Sequence, residues 1–133
     1  MNAIYLDNAA TTSMYAEVIE VMQTSMAENF GNPSSTHQFG RKAKATVETA
    51  RKNIAKHFNV SAAEIIFTSS GTEADNLILY NAVLNLGVRR IITSKIEHHA
   101  VLHTCDFLKE SEKISIEYVN VDVFGNMDAL HLE

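Results

Sequence analysis

The chain has 133 residues, 46% of them hydrophobic and 20% charged, which excludes a disordered chain and fits one soluble domain able to bury a core. Its net charge of -5 argues against a general nucleic-acid or anionic-membrane surface, because neither phosphate backbones nor acidic lipids attract an acidic protein at long range. A small polar or zwitterionic substrate stays open. The single cysteine, Cys105, allows no internal disulfide, so a cytoplasmic location is expected.

The N-terminal run "MNAIYLDNAATT" has no basic region and reaches Asp7 before an apolar stretch builds up, so no export signal and no membrane span are expected. Tyr15 to Glu28 places Val18, Ile19, Met22 and Met26 near helical spacing, and "FGNPSSTH" at Phe30 to His37, holding the only proline, breaks that pattern. From Phe39 to Phe58 the residues Ala43, Val47, Ala50, Ile54 and Phe58 recur every three or four positions. That spacing predicts a long amphipathic helix, with Arg41, Lys42, Lys44, Arg51 and Lys52 mostly outward on a solvated face.

Beyond Ala63 the pattern alternates: strand Ile65 to Thr68, helix Thr72 to Leu86, strand Arg90 to Thr93, helix His98 to Leu108, strand Ile114 to Val121. This βαβαβ order predicts an α/β fold with a parallel sheet and flanking helices. Asp128 is a plausible N-cap, yet only Ala129 to Glu133 follow, barely one turn. A chain stopping inside an element is expected to be a fragment of a longer protein.

Ligands of open parallel sheets bind beyond the carboxyl ends of the strands, where loops lead into helix N-termini. "TSSGT" at Thr68 to Thr72 suits a phosphate there: Gly71 lets backbone approach an anion, and Ser70 and Thr72 add hydroxyls. The plainer reading is a capping box of Ser70 and Glu73 with no ligand. "SKIEHH" at Ser94 to His99 follows the next strand. If those two strands are neighbours, His98 stands near the Gly71 turn, and an imidazole can stack on a flat cofactor or move a proton. His99 and His103 share a helix face, but "HAVLH" lacks the glutamate of a zinc motif and no second ligand pair is evident, so no metal is expected. Cys105, in an apolar helical stretch, reads as a small buried residue.

Four motifs in order, "YLDNAATT" at Tyr5 to Thr12, "FGNPSSTHQFG" at Phe30 to Gly40, "IIFTSSGTEADN" at Ile65 to Asn76 and "IITSKIEHHAVL" at Ile91 to Leu102, resemble the N-terminal part of cysteine desulfurases, in the class V aminotransferase group of pyridoxal-phosphate enzymes. The resemblance implies the aspartate-aminotransferase-like fold (fold type I), with residues 1–14 packing with the small domain of the full enzyme and residues 15–133 opening the large cofactor-binding domain. It matches Gly71 and Thr72 to the phosphate-binding pair and His98 to the histidine stacked on the pyridine ring, with proton transfer as a further role. Asn8, Ala10, Thr11 and Asn32 fall in segments bordering the active site. Ser70 stands where a glycine is often found.

The implied reaction takes sulfur from L-cysteine, leaving L-alanine and an enzyme persulfide, in a homodimer that feeds an iron-sulfur scaffold or another acceptor protein. The Schiff-base lysine and the persulfide cysteine match no residue here: Lys95 and Cys105 fall at other positions of the pattern. The 133 residues alone are therefore expected to be inactive. Selenocysteine lyases and other class V members share these early motifs, and a non-catalytic anion-binding or structural fragment stays open as well.

Overall fold

The computed structural model describes residues 3–132. Met1 and Asn2 of the N-terminal segment and Glu133 of the predicted last turn lie outside the described residues. The chain divides into two compact units between Ile66 and Phe67.

The first unit is helical. α1 (Ala16–Glu28) starts at Tyr15 without a side-chain cap and buries no residue. α2 (Gln38–Phe58) starts at His37, whose Nδ1 accepts the Gly40 amide at 3.4 Å. It ends on Asn59, whose φ of 55° is the left-handed turn that asparagine tolerates. Of the predicted stripe on α2 only Ala43 is buried, joined by Gly40 and Ala55. Val47, Ile54 and Phe58 stay open, because an apolar stripe is buried only where a second surface meets it. Gly40 is required by close approach: a Cβ there would lie 2.3 Å from the Ser35 carbonyl oxygen and 2.7 Å from that of Asn32. The "GNPSS" loop is thereby wound directly against the start of α2.

One predicted surface charge is placed differently. Arg51 is half-buried; its Nη1 donates to the Ile65 carbonyl and its Nε to Glu48 at 3.3 Å. A guanidinium can bury its stem while satisfying a backbone oxygen, so the solvated face stops short of Arg51. Below it a 3-10 turn, Ala62–Glu64, is closed by Ser61 and Glu64, whose carboxylate accepts the Ser61 amide at 2.8 Å.

The second unit holds α3 (Gly71–Leu84), β1 (Arg90–Ser94), α4 (His99–Glu112) and β2 (Ser115–Val119). β1 and β2 pair in parallel with Ile91 opposite Ile116 and Thr93 opposite Tyr118, so α4 is the crossover that a parallel pair needs. The core is Val83 of α3, Leu108 of α4 and Ile114, with Leu79, Tyr80, Ile91 and Ile116 packed on it. Lys113, at φ 56°, ends α4. A last 3-10 turn, Ala129–Leu132, opens at Asp128, whose Oδ1 accepts the Leu130 amide at 3.1 Å.

The strand predicted at Ile65 to Thr68 is not formed. Its backbone is extended at Ile65, but the sheet among the described residues has two strands, β1 and β2. A strand exists through the ladder that takes its N–H and C=O groups, and this segment is not one of the two strands of that sheet. The parallel sheet is therefore βαβ and not βαβαβ. Among the described residues no helix is long and apolar enough to cross a membrane.

Candidate functional site

The site begins at the first turn of α3. Ser70 is extended, and its Oγ accepts the Glu73 amide at 3.2 Å, while its carbonyl accepts the Ala74 amide. A closed capping box would turn the Glu73 carboxylate back onto the Ser70 amide. Instead Glu73 Oε2 accepts the Ser69 amide at 2.6 Å and the Ser69 hydroxyl at 2.7 Å. The cap is thus half a box, displaced by one residue, and the amides of Gly71 and Thr72 make no hydrogen bond among the described residues. Capping and anion binding, set against each other on sequence grounds, coexist because they use different donors.

Gly71 has ordinary backbone angles, and a Cβ there would meet nothing within 4 Å. No contact within the chain demands the glycine. Its bareness leaves open space above two free N–H groups at the positive end of a helix, which suits the oxygens of a phosphate. The Thr72 hydroxyl adds a third donor beside them.

The bonds from Ser69 hold the Glu73 carboxyl below its ordinary range, the side-chain bond contributing most. Because the folded value is depressed, the contribution of this contact is present above the unfolded value and fades as pH falls through the folded one. We expect the Ser69 amide resonance to titrate with a midpoint below that of free glutamate, and Glu73→Gln to abolish the transition. A midpoint at the ordinary value would show that the contact is not formed in solution.

His98 is the N-cap of α4: its Nδ1 accepts the Ala100 amide at 3.1 Å. The neutral ring therefore carries its proton on Nε2, directed away from the backbone it caps. α3 and α4 pack together, and between them lies a hollow of about 350 Å³ lined by Thr72, Asn76, His98, His99, Ala100, His103 and Thr104. Thr72 and His98 thus border one hollow through helix packing. The neighbouring strands from which their proximity was expected are not paired, so the proximity holds while its reason changes. Gly71 immediately precedes Thr72 at the same helix start.

His99 and His103 stack at 5.2 Å with an interplanar angle of 28°. Among the described residues no group of three or more His, Cys, Asp or Glu is arranged to hold a metal ion. Cys105 is fully buried, and burial, followed by the charges of Asp106 and Glu97, pushes its thiol above the ordinary value. Such a thiol is a poor nucleophile. A larger hollow, about 520 Å³, opens past the carboxyl ends of β1 and β2. There Lys95 Nζ lies 5.9 Å from the Tyr118 ring centroid, and none of the predicted site residues lines it.

The remaining candidates belong to the first unit. Asn8, Ala10 and Thr11 form a turn in which the Asp7 carbonyl accepts the Ala10 and Thr11 amides, and Thr11 Oγ1 meets the Tyr5 hydroxyl at 2.7 Å. Asn32 shapes its own loop, its side chain accepting the Ser34 amide at 2.9 Å and its carbonyl the Ser35 amide. Three residues of the hollow were missed from the sequence, Asn76, Ala100 and Thr104. The signal was available, since Asn76 lies four residues after Thr72 and so on the same helix face.

Residues 4–133 match the family model described as Aminotransferase class-V. Over 132 residues the chain is 50% identical to an IscS-named protein of Bacillus subtilis (strain 168), covering 97% of this chain and 34% of that protein. It is 47% identical over 127 residues to the cysteine desulfurase IscS of Dictyoglomus turgidum, covering 94% and 32% respectively. A solved NifS-like protein superposes with a TM-score of 0.87 at 39% identity, over 94% of this chain and 35% of that one. The chain spans about a third of the length of the relatives it matches.

Proposed function

This chain belongs to the class-V aminotransferase family, and on that premise we propose that it is the N-terminal part of a pyridoxal-phosphate-dependent cysteine desulfurase. Its fold is the α/β arrangement of the first part of a fold-type-I enzyme. The observation that carries the reading is the pairing of two free amides and a hydroxyl at the start of α3 with an imidazole across one hollow. That donor set fits a planar phosphorylated ligand: phosphate at Gly71 and Thr72, ring against His98.

Bound, pyridoxal phosphate supplies an electron sink for the substrate. The chain's own residues do the rest of what is proposed here. The Gly71 and Thr72 amides and the Thr72 hydroxyl bind the phosphate; the His98 ring, anchored by its Nδ1 bond to Ala100, orients the flat cofactor and holds a proton at Nε2. L-Cysteine is the proposed substrate, supported by the cysteine desulfurase name of the relatives. Asn8, Ala10, Thr11 and Asn32 are proposed for the substrate region, residues 1–14 for contact with the small domain, and residues 15–133 for the start of the large one. The lysine that carries the cofactor and the cysteine that accepts sulfur are proposed to lie elsewhere in the intact protein, which acts as a cytoplasmic homodimer and passes sulfur to an iron-sulfur scaffold or a similar acceptor.

The test is an equilibrium titration of the apo form of the full gene product carrying this sequence, with pyridoxal phosphate and with pyridoxal. Wild type is expected to prefer the phosphorylated compound by at least about tenfold, since charge-assisted bonds contribute roughly 1.5–3 kcal/mol each. Thr72→Val should narrow that preference about fivefold by removing one of them. Equal affinities for the two compounds in the wild type would overturn the phosphate cradle.

A further inference from the structure

We infer that Thr104 is a positioning residue, whose hydroxyl acts through Asn76 to fix the start of α3 against the start of α4 and so sets the distance between phosphate cradle and imidazole. The inference rests on the pyridoxal-phosphate reading above and deepens it. Thr72 and His98 belong to different helices, so their separation is only as definite as the packing of α3 on α4. Away from the site that packing is apolar, through Val83 and Leu108. Apolar contact is non-directional, and packed helices can slide on one another at small cost.

Near the site the contact becomes directional. Thr104 Oγ1 donates to Asn76 Oδ1, and this is the one side-chain hydrogen bond joining α3 to α4 among the described residues. Thr104 is only 7% exposed, and breaking the pair would leave a largely buried hydroxyl short of a partner. Its side chain is β-branched and stiff in a helix. Asn76 stands one turn beyond Thr72 on the same face, and both it and Thr104 line the hollow that Thr72 and His98 border. A slip between the helices at this bond would move the phosphate donors relative to the ring without opening the core.

A residue that merely tied two helices together would alter stability and leave ligand preference alone. The deciding quantity is therefore the ratio of affinities for pyridoxal phosphate and pyridoxal in the apo full gene product, measured alongside thermal unfolding. Thr104→Val, nearly isosteric, is expected to weaken pyridoxal phosphate about tenfold while pyridoxal changes by less than about twofold. Thr104→Ser, which keeps the hydroxyl, should restore most of the preference. Leu108→Ala serves as the structural control: it lowers the melting temperature yet leaves the ratio as it was. Asn76→Ala removes the acceptor from the less buried side and should repeat the Thr104→Val result should that variant fold poorly. An unchanged ratio in Thr104→Val or Asn76→Ala, with the wild-type preference intact, would overturn the inference alone. A wild type without any preference for the phosphorylated compound would overturn the cradle and this inference with it.

Discussion

On the proposed function, His98→Asn is expected to leave the intact protein folded and to slow the proposed reaction with L-cysteine by about a hundredfold or more. The imidazole has two separable tasks. Its Nδ1 caps α4 by accepting the Ala100 amide, a task asparagine performs at least as well. Its ring faces the hollow shared with Thr72, where it would orient a flat cofactor and hold a proton at Nε2. Positioned acid-base groups typically contribute about 10²- to 10⁴-fold to a rate. His98→Ala would lose both tasks, adding a stability loss of about 1 kcal/mol for the missing cap. The pair of variants thus separates cap from ring. His98→Asn retaining activity within about threefold of wild type, with His98→Ala clearly less stable, would reduce His98 to a capping residue.

The helices and the two paired strands were legible because each carries its own local signal. The stripe of Ala43, Val47 and Ile54 predicts α2, and the short β-branched runs at Ile91 and Ile116 predict β1 and β2. The starts of α3 and α4 differ by one residue from the pattern because a cap decides them: α3 starts at Gly71 because Ser70 caps it, and α4 starts at His99 because His98 does. The segment Ile65 to Thr68 carries an equally good local signal and forms no strand. Pairing is a property of two segments, and one segment's periodicity says nothing about whether its neighbour is present. Burial failed for the same reason along α1, where Val18, Ile19 and Met22 each stay at least 40% exposed.

At the candidate site the residue types were readable and the way they meet was not. Gly71, Thr72 and His98 stand out because a glycine, a hydroxyl and an imidazole follow strand-like runs. Their meeting across α3 and α4 depends on helix packing, which no single segment encodes. Likewise the serine-to-glutamate spacing at Ser70 and Glu73 cannot say which amide the carboxylate takes. It takes Ser69 in place of Ser70, and the Gly71 and Thr72 amides are free with either choice. Arg51 reads as a surface charge by periodicity, yet the Ile65 carbonyl within its reach draws it inward.

The packing that brings the two helix starts together has its own centre, and Leu108→Ala should expose how much depends on it. Leu108 is 0% exposed and meets Val83 of α3 and Ile114 at the foot of β2. It therefore joins the helix carrying Thr72, the helix carrying His98 and the sheet in one cluster. Truncation removes apolar atoms from a site whose backbone is held by three elements, so the cavity cannot collapse fully, and the loss should be about 3 kcal/mol within the usual 2–5 range. Leu108→Met, which nearly conserves volume, should lose less than about 1.5 kcal/mol. In urea unfolding the alanine variant should lower the midpoint with an unchanged slope, the signature of lost stability without a changed denatured state. A loss under about 1 kcal/mol would mean that the cluster relaxes around the gap and adds little to the stability of the packing of α3 on α4.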